Sequence, residues 1–301
     1  MPSNPSPSQP RKIALIASSL GWGSGLEQAE RGPKLLLGAG LAERVRAEKV
    51  IDIPAIPTMT EAMLVGDAIE QAIMEHANRV SDAVVNAIQD GFLPVIIGGD
   101  HTSALGFHTG LARAHGETGI IYVDTHPDLN TFETSPSGNI HGMVLAGLLG
   151  RGSETMCTAT SACLTRDEHV AMVGVRDIDD GEQLWLDEGS IHCMTMDTVH
   201  ELGLETCMVH AVETANQATS GYGLTIDIDV LDPSQAPFVA TPVEDGIFVD
   251  ELAEAIATMP HANRLLGVEV TEFTPRSDSD AQQACTIMAT LINAITGVAV
   301  V

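Results

Sequence analysis

Short apolar runs that break off into polar residues recur along the chain. Lys12–Ser19 (KIALIASS) is the first. Leu93–Ile97 (LPVII) runs into Gly98-Gly99-Asp100-His101, and Gly119–Val123 (GIIYV) into Asp124-Thr125-His126-Pro127-Asp128. Val170–Val175 (VAMVGV) runs into Arg176-Asp177-Ile178-Asp179, Tyr222–Ile226 (YGLTI) into Asp227-Ile228-Asp229, and Leu265–Val270 (LLGVEV) into Thr271-Glu272. Continuous β-branched runs of this kind suit strands covered on both faces, the pattern of a parallel sheet. Between them, residues 61–90 place Met63, Leu64, Ala68, Ile69, Ala72, Ile73, Val80, Val84 and Ile88 at three- and four-residue spacings, and Gly91 stops the pattern. Residues 249–259 and 280–296 also read as helices. The alternation predicts an α/β fold of three layers, α-β-α, around a mostly parallel central sheet. In such sheets ligands bind beyond the carboxyl ends of the strands. Each polar cluster falls at such an end, so clusters far apart in sequence are expected to converge on one rim.

The rim would gather His101, Asp124, His126, Asp128, Asp227 and Asp229. Alternation in Asp124-x-His126-x-Asp128 sets three donors on one side of an extended segment, and Asp227-x-Asp229 repeats the device. Four carboxylates brought together without a counter-ion are very costly, and two divalent cations would cancel them. Oxygen ligands with some imidazole and no cysteine favour Mn²⁺ over zinc. Two cations roughly 3.5–4 Å apart can share a water, lower its pKa and present hydroxide at neutral pH. No Gly-x-Ser-x-Gly elbow or P-loop is present, so the chemistry read here is metal-assisted hydrolysis.

Charge narrows the ligand class. The chain has 41 acidic and 14 basic residues, a formal net charge of −27, which argues against nucleic acid or an anionic membrane as partner and favours a small cationic or neutral ligand. A hydrophobic content of 44% excludes a disordered chain. Residues 1–11, with four prolines, read as a disordered leader and not a signal peptide, leaving 12–301 as one domain. No apolar run approaches the ~20 residues that span a membrane. The cysteines (Cys157, Cys163, Cys193, Cys207, Cys285) are odd in number and form no Cys-x-x-Cys pair, which reads as reduced core filler in a cytoplasmic protein.

Five motifs together resemble the ureohydrolases, the family of arginase, agmatinase and relatives. They are Gly98-Gly99-Asp100-His101-Thr102, Asp124-Thr125-His126-Pro127-Asp128-Leu129-Asn130, Ser137-Gly138-Asn139-Ile140-His141-Gly142-Met143, Asp227-Ile228-Asp229-Val230-Leu231-Asp232-Pro233 and Glu269-Val270-Thr271-Glu272-Phe273. Their order and spacing match from about Lys12 onward, and Leu129–Gly142 and Gly174–Glu182 look closest to the arginase branch. The resemblance implies a binuclear manganese centre on the six rim residues. It implies L-arginine as substrate, with L-ornithine and urea as products. His141 matches a histidine that shuttles a proton to the leaving amine, and Glu272 the carboxylate that pairs with the guanidinium. Thr241 matches a hydroxyl that helps position the guanidinium. Asn130, Ser137 and Asp179 match residues that hold the α-carboxylate and α-amino group, with Thr134 and Ser135 in the same stretch. A planar, always charged guanidinium independently calls for a bidentate carboxylate. A homo-oligomer, trimer or hexamer, is implied as well.

Blander roles are expected elsewhere. Asp100 reads as a cap of the helix beginning near Thr102, Asp232 before Pro233 as a turn former, and Glu269 as structural and pointing away from Glu272. His108, His115, His192 and His210 read as surface or packing residues. The family pattern is broken at Thr125, Pro127, Val144, Phe238, Ala240, Asp245 and Thr274. Phe238 is expected at the pocket mouth, where a bulky ring would narrow substrate choice. Another guanidino compound, such as agmatine or a guanidino acid, is therefore the alternative substrate. A poorly catalytic subunit of a hetero-oligomer is the alternative role.

Overall fold

Each apolar run becomes a strand buried on both faces. The computed structural model describes residues 11–25, 27–55, 67–161, 163 and 165–297. Its strands are β1 (Ile13–Ser18), β2 (Lys49–Ile53), β3 (Leu93–Gly98), β4 (Gly119–Val123), β5 (Val170–Val175), β6 (His192–Thr195), β7 (Tyr222–Asp227) and β8 (Leu265–Thr271). The helices are α1 (Glu27–Gly38), α2 (Leu41–Arg44), α3 (Asp67–Gln89), α4 (Ser103–His115), α5 (Val144–Leu148), α6 (Glu154–Ala159), α7 (Asp180–Asp187), α8 (Met196–Leu202), α9 (Leu204–Ala215), α10 (Val249–Ala257) and α11 (Asp280–Thr296). The start of the expected 61–90 helix and nearly all of the leader lie outside the described residues. Arg11, assigned to that leader, donates to the carbonyl of Leu265 at 2.6 Å.

The strands form one eight-stranded sheet in the order β2-β1-β3-β8-β7-β4-β5-β6, and every pairing is parallel. Side chains alternate across it. Leu15 and Ala17 of β1, Val123 of β4 and Leu224 and Ile226 of β7 pack with α1, α2 and α8 to α11. Ala14 and Ile16 of β1 and Ile120 and Tyr122 of β4 face α3 to α6. The result is the expected three-layer α-β-α arrangement, with a wholly parallel sheet.

The strand order places the site. The chain steps outward from β1 to β2, returns to β3, then crosses to β4 and leaves β7 and β8 to fill the gap. Strands β3, β8, β7 and β4 are therefore neighbours, and their carboxyl ends deliver His101, Glu272, Asp227 and Asp124 to one rim. On the face toward α4 these strands keep small residues. A side chain at Gly98 would collide with Ser103 and Thr271, one at Gly223 with Leu111 and His108, and one at Gly267 with Phe107. These glycines let α4 lie close on the sheet.

Candidate active site

All six rim residues meet. His101 Nδ1 lies 3.1 Å from carboxylate oxygens of Asp124, Asp128 and Asp227 alike. His126 Nδ1 lies 3.1 Å from Asp229 Oδ2 and 3.6 Å from Asp124 Oδ1. Two groups with donor atoms within 4.8 Å of one another result, His101–Asp124–Asp128 and Asp124–His126–Asp229, and Asp124 belongs to both. All except His126 are buried.

The local geometry differs from the extended segment expected. Strand β4 stops at Val123, and the Asp124 carboxylate accepts the amide of His126 at 2.7 Å. Asp227 accepts the amide of Asp229 at 2.8 Å in the same way, a side-chain turn that short acidic residues form readily. Asp128 has a left-handed backbone (φ 52°), and its carbonyl accepts the amides of Leu145 and Ala146. Turns, not pleat alternation, bring the donors together.

The donor set fits a pair of divalent cations. One ring nitrogen cannot satisfy three carboxylates, and Asp124 Oδ2 is buried without a directed hydrogen bond. Burial and the charge of Asp229 push both Asp124 and Asp227 above the ordinary carboxylate range. Burial also opposes ionisation of Asp229, but His126 outweighs it and holds Asp229 below that range. Such a pole ionises fully only when positive charge arrives.

Glu272 stands at the edge of this pole, just beyond β8, also with a left-handed backbone (φ 68°). Its Oε1 accepts the amide of His101 at 2.8 Å and lies 3.0 Å from His141 Nδ1. Its Oε2 is buried and has no donor. Burial alone would lower the His141 pKa, but the charge and hydrogen bond of Glu272, with Asp128 and Asp100 behind, lift it to about 9. The His141 amide donates to Gly23 O.

The expected tail-binding residues are only partly assembled. Asn130 Nδ2 donates to Asp179 Oδ2 at 2.9 Å and Thr134 Oγ1 donates to Asn130 Oδ1 at 3.0 Å. Ser137 lies on an exposed turn, where it accepts the amide of Asn139 and sits 3.4 Å from Ser135 Oγ. Thr241 Oγ1 donates to Asp229 Oδ2 at 3.1 Å, not to Glu272. Phe238, expected at the mouth, is buried and packs edge-on against Phe273, 5.4 Å between ring centres. It belongs to the hydrophobic core, and its carbonyl accepts the amide of Thr274 two residues after Glu272. Asp245 takes up a left-handed conformation (φ 65°), which aspartate tolerates where glycine is usual. Thr125 Oγ1 and Arg176 both donate to the carbonyl of Asp229.

Several bracing residues escaped the sequence reading. Tyr122 stacks on His101 (4.8 Å, 9° between planes) and donates to Asp128 Oδ2 at 2.7 Å. A phenol inside an apolar strand needs a partner, and that was the available signal. Glu182 is buried, accepts the amides of Leu129 and Asp179, and closes a capping box at the start of α7. The Asp-x-x-Glu spacing of Asp179 and Glu182 announced that box. Asp100 is not the cap expected, because α4 begins at Ser103 with Thr102 at its N-cap position. It accepts the amide and hydroxyl of Thr102, and its other oxygen takes the amides of Gly23 and Ser24, tying residues 22–24 to the site. Asp232 accepts from Ser234 in a tight turn, as expected.

Tyr122→Phe isolates one such brace. It is expected to weaken divalent-cation binding about tenfold, as loss of an outer hydrogen bond to a ligand does. Calorimetric titration of metal-stripped protein reads this directly.

Fold and site together define a metal-dependent amidinohydrolase. The Arginase family profile matches residues 11–297, and the chain belongs to that family. An arginase of Bacillus caldovelox is 33% identical, over 93% of this chain and 96% of its own. The structure of Entamoeba histolytica arginase in complex with L-ornithine superposes with a TM-score of 0.84 at 26% identity, covering 94% of this chain and 99% of that one. Formimidoylglutamase from Bacillus subtilis shares the fold, with a TM-score of 0.73 at 21% identity, covering 96% of this chain and 88% of that one.

Proposed function

We propose that this chain hydrolyses the guanidinium group of L-arginine to L-ornithine and urea, with two Mn²⁺ ions held by His101, Asp124, His126, Asp128, Asp227 and Asp229. The observation that carries the reading is Glu272. It is a buried carboxylate beside the cation pole, with one oxygen spent on His101 and His141 and the other lacking a donor. A guanidinium offers that oxygen a charged N–H. When bound, the cations supply an activated water and positive charge at neutral pH. Glu272 orients the guanidinium carbon toward the pole. His141, protonated at neutral pH through its contact with Glu272, holds the proton that the departing nitrogen needs. Asp179, joined to Asn130, offers an anion to the α-amino group, while Ser137 and Thr241 line the approach.

Urea release by Mn²⁺-loaded protein, with L-arginine, agmatine and guanidino acids in parallel, tests the assignment. Arginine turnover far above the rest supports it. A different guanidine in first place leaves Glu272 and His141 their roles and withdraws those of Asn130, Ser137 and Asp179. The hydrogen bonds of Ser137 go to Ser135 and Asn139 and not to the Asn130–Asp179 pair, which favours that second reading. Robust turnover by the chain alone dismisses a merely accessory subunit. No described helix is long and apolar enough to cross a membrane. The described cysteines are all free. The family resemblance alone is the ground for the further reading of a cytoplasmic homo-oligomer, a trimer or hexamer.

A further inference from the structure

Beneath the cation pole lies a second polar cluster that the proposed chemistry does not use. Glu269 of β8 is wholly buried, and hydroxyls take both its oxygens. Ser103 Oγ donates to Oε1 at 2.5 Å and Thr225 Oγ1 to Oε2 at 3.0 Å. His108 Nε2 lies 2.8 Å from the same Thr225 oxygen. Burial holds the His108 ring neutral, with its pKa near 3. With the threonine proton committed to Glu269, Nε2 carries the ring proton, so the chain of donors ends on the carboxylate.

The cluster joins the elements that build the pole. Ser103 opens α4 two residues after His101, Thr225 precedes Asp227 by two residues on β7, and Glu269 precedes Glu272 on β8. Gly98, Gly223 and Gly267 let α4 approach closely enough for these short side chains to meet. Glu269 reaches the first turn of α4 through Ser103, and Glu272 reaches the turn just before that helix through the His101 amide, because the left-handed backbone at Glu272 ends the strand alternation.

We propose that Glu269 is a positioning residue for the cation pole, acting through Ser103 on the first turn of α4 to fix His101 against Asp227. This rests on the reading that His101 and Asp227 hold a cation. Expected for Glu269→Ala is a 10–100-fold loss of Mn²⁺ affinity in one of two equivalents, with KM for the guanidino substrate unchanged. Glu269→Gln keeps the shape and one acceptor, and is expected to recover most of the affinity. Ser103→Ala cuts the link to α4 alone and is expected to lose affinity in the same direction. It decides the matter if Glu269→Ala fails to fold. The measurements are Mn²⁺ calorimetry on metal-stripped protein, far-ultraviolet circular dichroism, and the split of kcat from KM. A lower Tm with both Mn²⁺ affinities within twofold of wild type, in Glu269→Ala and Ser103→Ala alike, reduces the cluster to core packing and overturns the proposal. Wild-type protein that takes up no divalent cation overturns the reading beneath it, a failure seen before any variant is made.

Discussion

Asp124→Ala is expected to abolish urea release and to leave at most one equivalent of bound metal. Asp124 alone belongs to both donor groups, so its loss damages both cation positions, whereas Asp128 and Asp229 each serve one. Removing the activated water forfeits several kcal/mol of barrier lowering, about a thousandfold in rate or more. The stability effect has the opposite sign without metal. Stripped of cations, the wild-type chain carries a crowded carboxylate whose Oδ2 has no directed partner. Asp124→Ala should therefore melt at a higher temperature than wild type in chelator, and at a lower one in excess Mn²⁺, because only wild type gains binding energy from the added ion. Melting curves in both buffers and elemental analysis of the loaded proteins read this crossover. Two full equivalents of metal in Asp124→Ala would remove the carboxylate from the centre.

Glu272→Gln carries the second large effect. Its substrate partner is a charge that cannot be lost, and breaking one side of a buried ion pair costs about 3–5 kcal/mol. We expect kcat/KM to fall by about two to four orders of magnitude, while metal content stays at the wild-type value because Glu272 supplies no ligand. His141 responds too. Burial lowers its pKa and Glu272 raises it, so the value of about 9 should drop in Glu272→Gln. The consequence for stability follows the sign of a raised basic group. In metal-free wild type the pair stabilises fully below the free-ring value of about 6.5 and is lost as pH rises through about 9. The stability gap between wild type and Glu272→Gln should therefore shrink from pH 7 to pH 10 in denaturant titrations. Histidine NMR that leaves His141 near 9 in the variant would dissociate the two residues.

What the sequence disclosed has a physical boundary. Strands covered on both faces were legible because apolar residues dominate them, with few polar exceptions such as Thr225 of β7 and Glu269 of β8. The edge strands were not. β2 alternates exposed and covered positions and carries Lys49 and Asp52, and β6 is four residues long with an exposed His192. Helices α10 and α11 showed their period, whereas α5, α6 and α8 are too short to display one. The six donors stood out because each sits where a strand ends. Their braces did not, because Tyr122 beside Asp128, Glu269 beside Ser103 and Asp100 beside Gly23 become neighbours only when the sheet order is known. Phe238 was misplaced for the same reason. A loop residue shows its size in a sequence, not the side toward which its backbone turns.

The positive φ angles at Asp128 and Glu272 place a thermodynamic debt at the two carboxylates that bind charge from opposite sides of the reaction. Left-handed backbone costs a side-chain-bearing residue on the order of 1 kcal/mol or more, and glycine little. Asp128→Gly should thus melt higher than wild type in chelator while failing to turn over. Random mutation selected for heat resistance alone would drift toward glycine at position 128, whereas at position 272 the pair with His141 offsets the cost of the backbone.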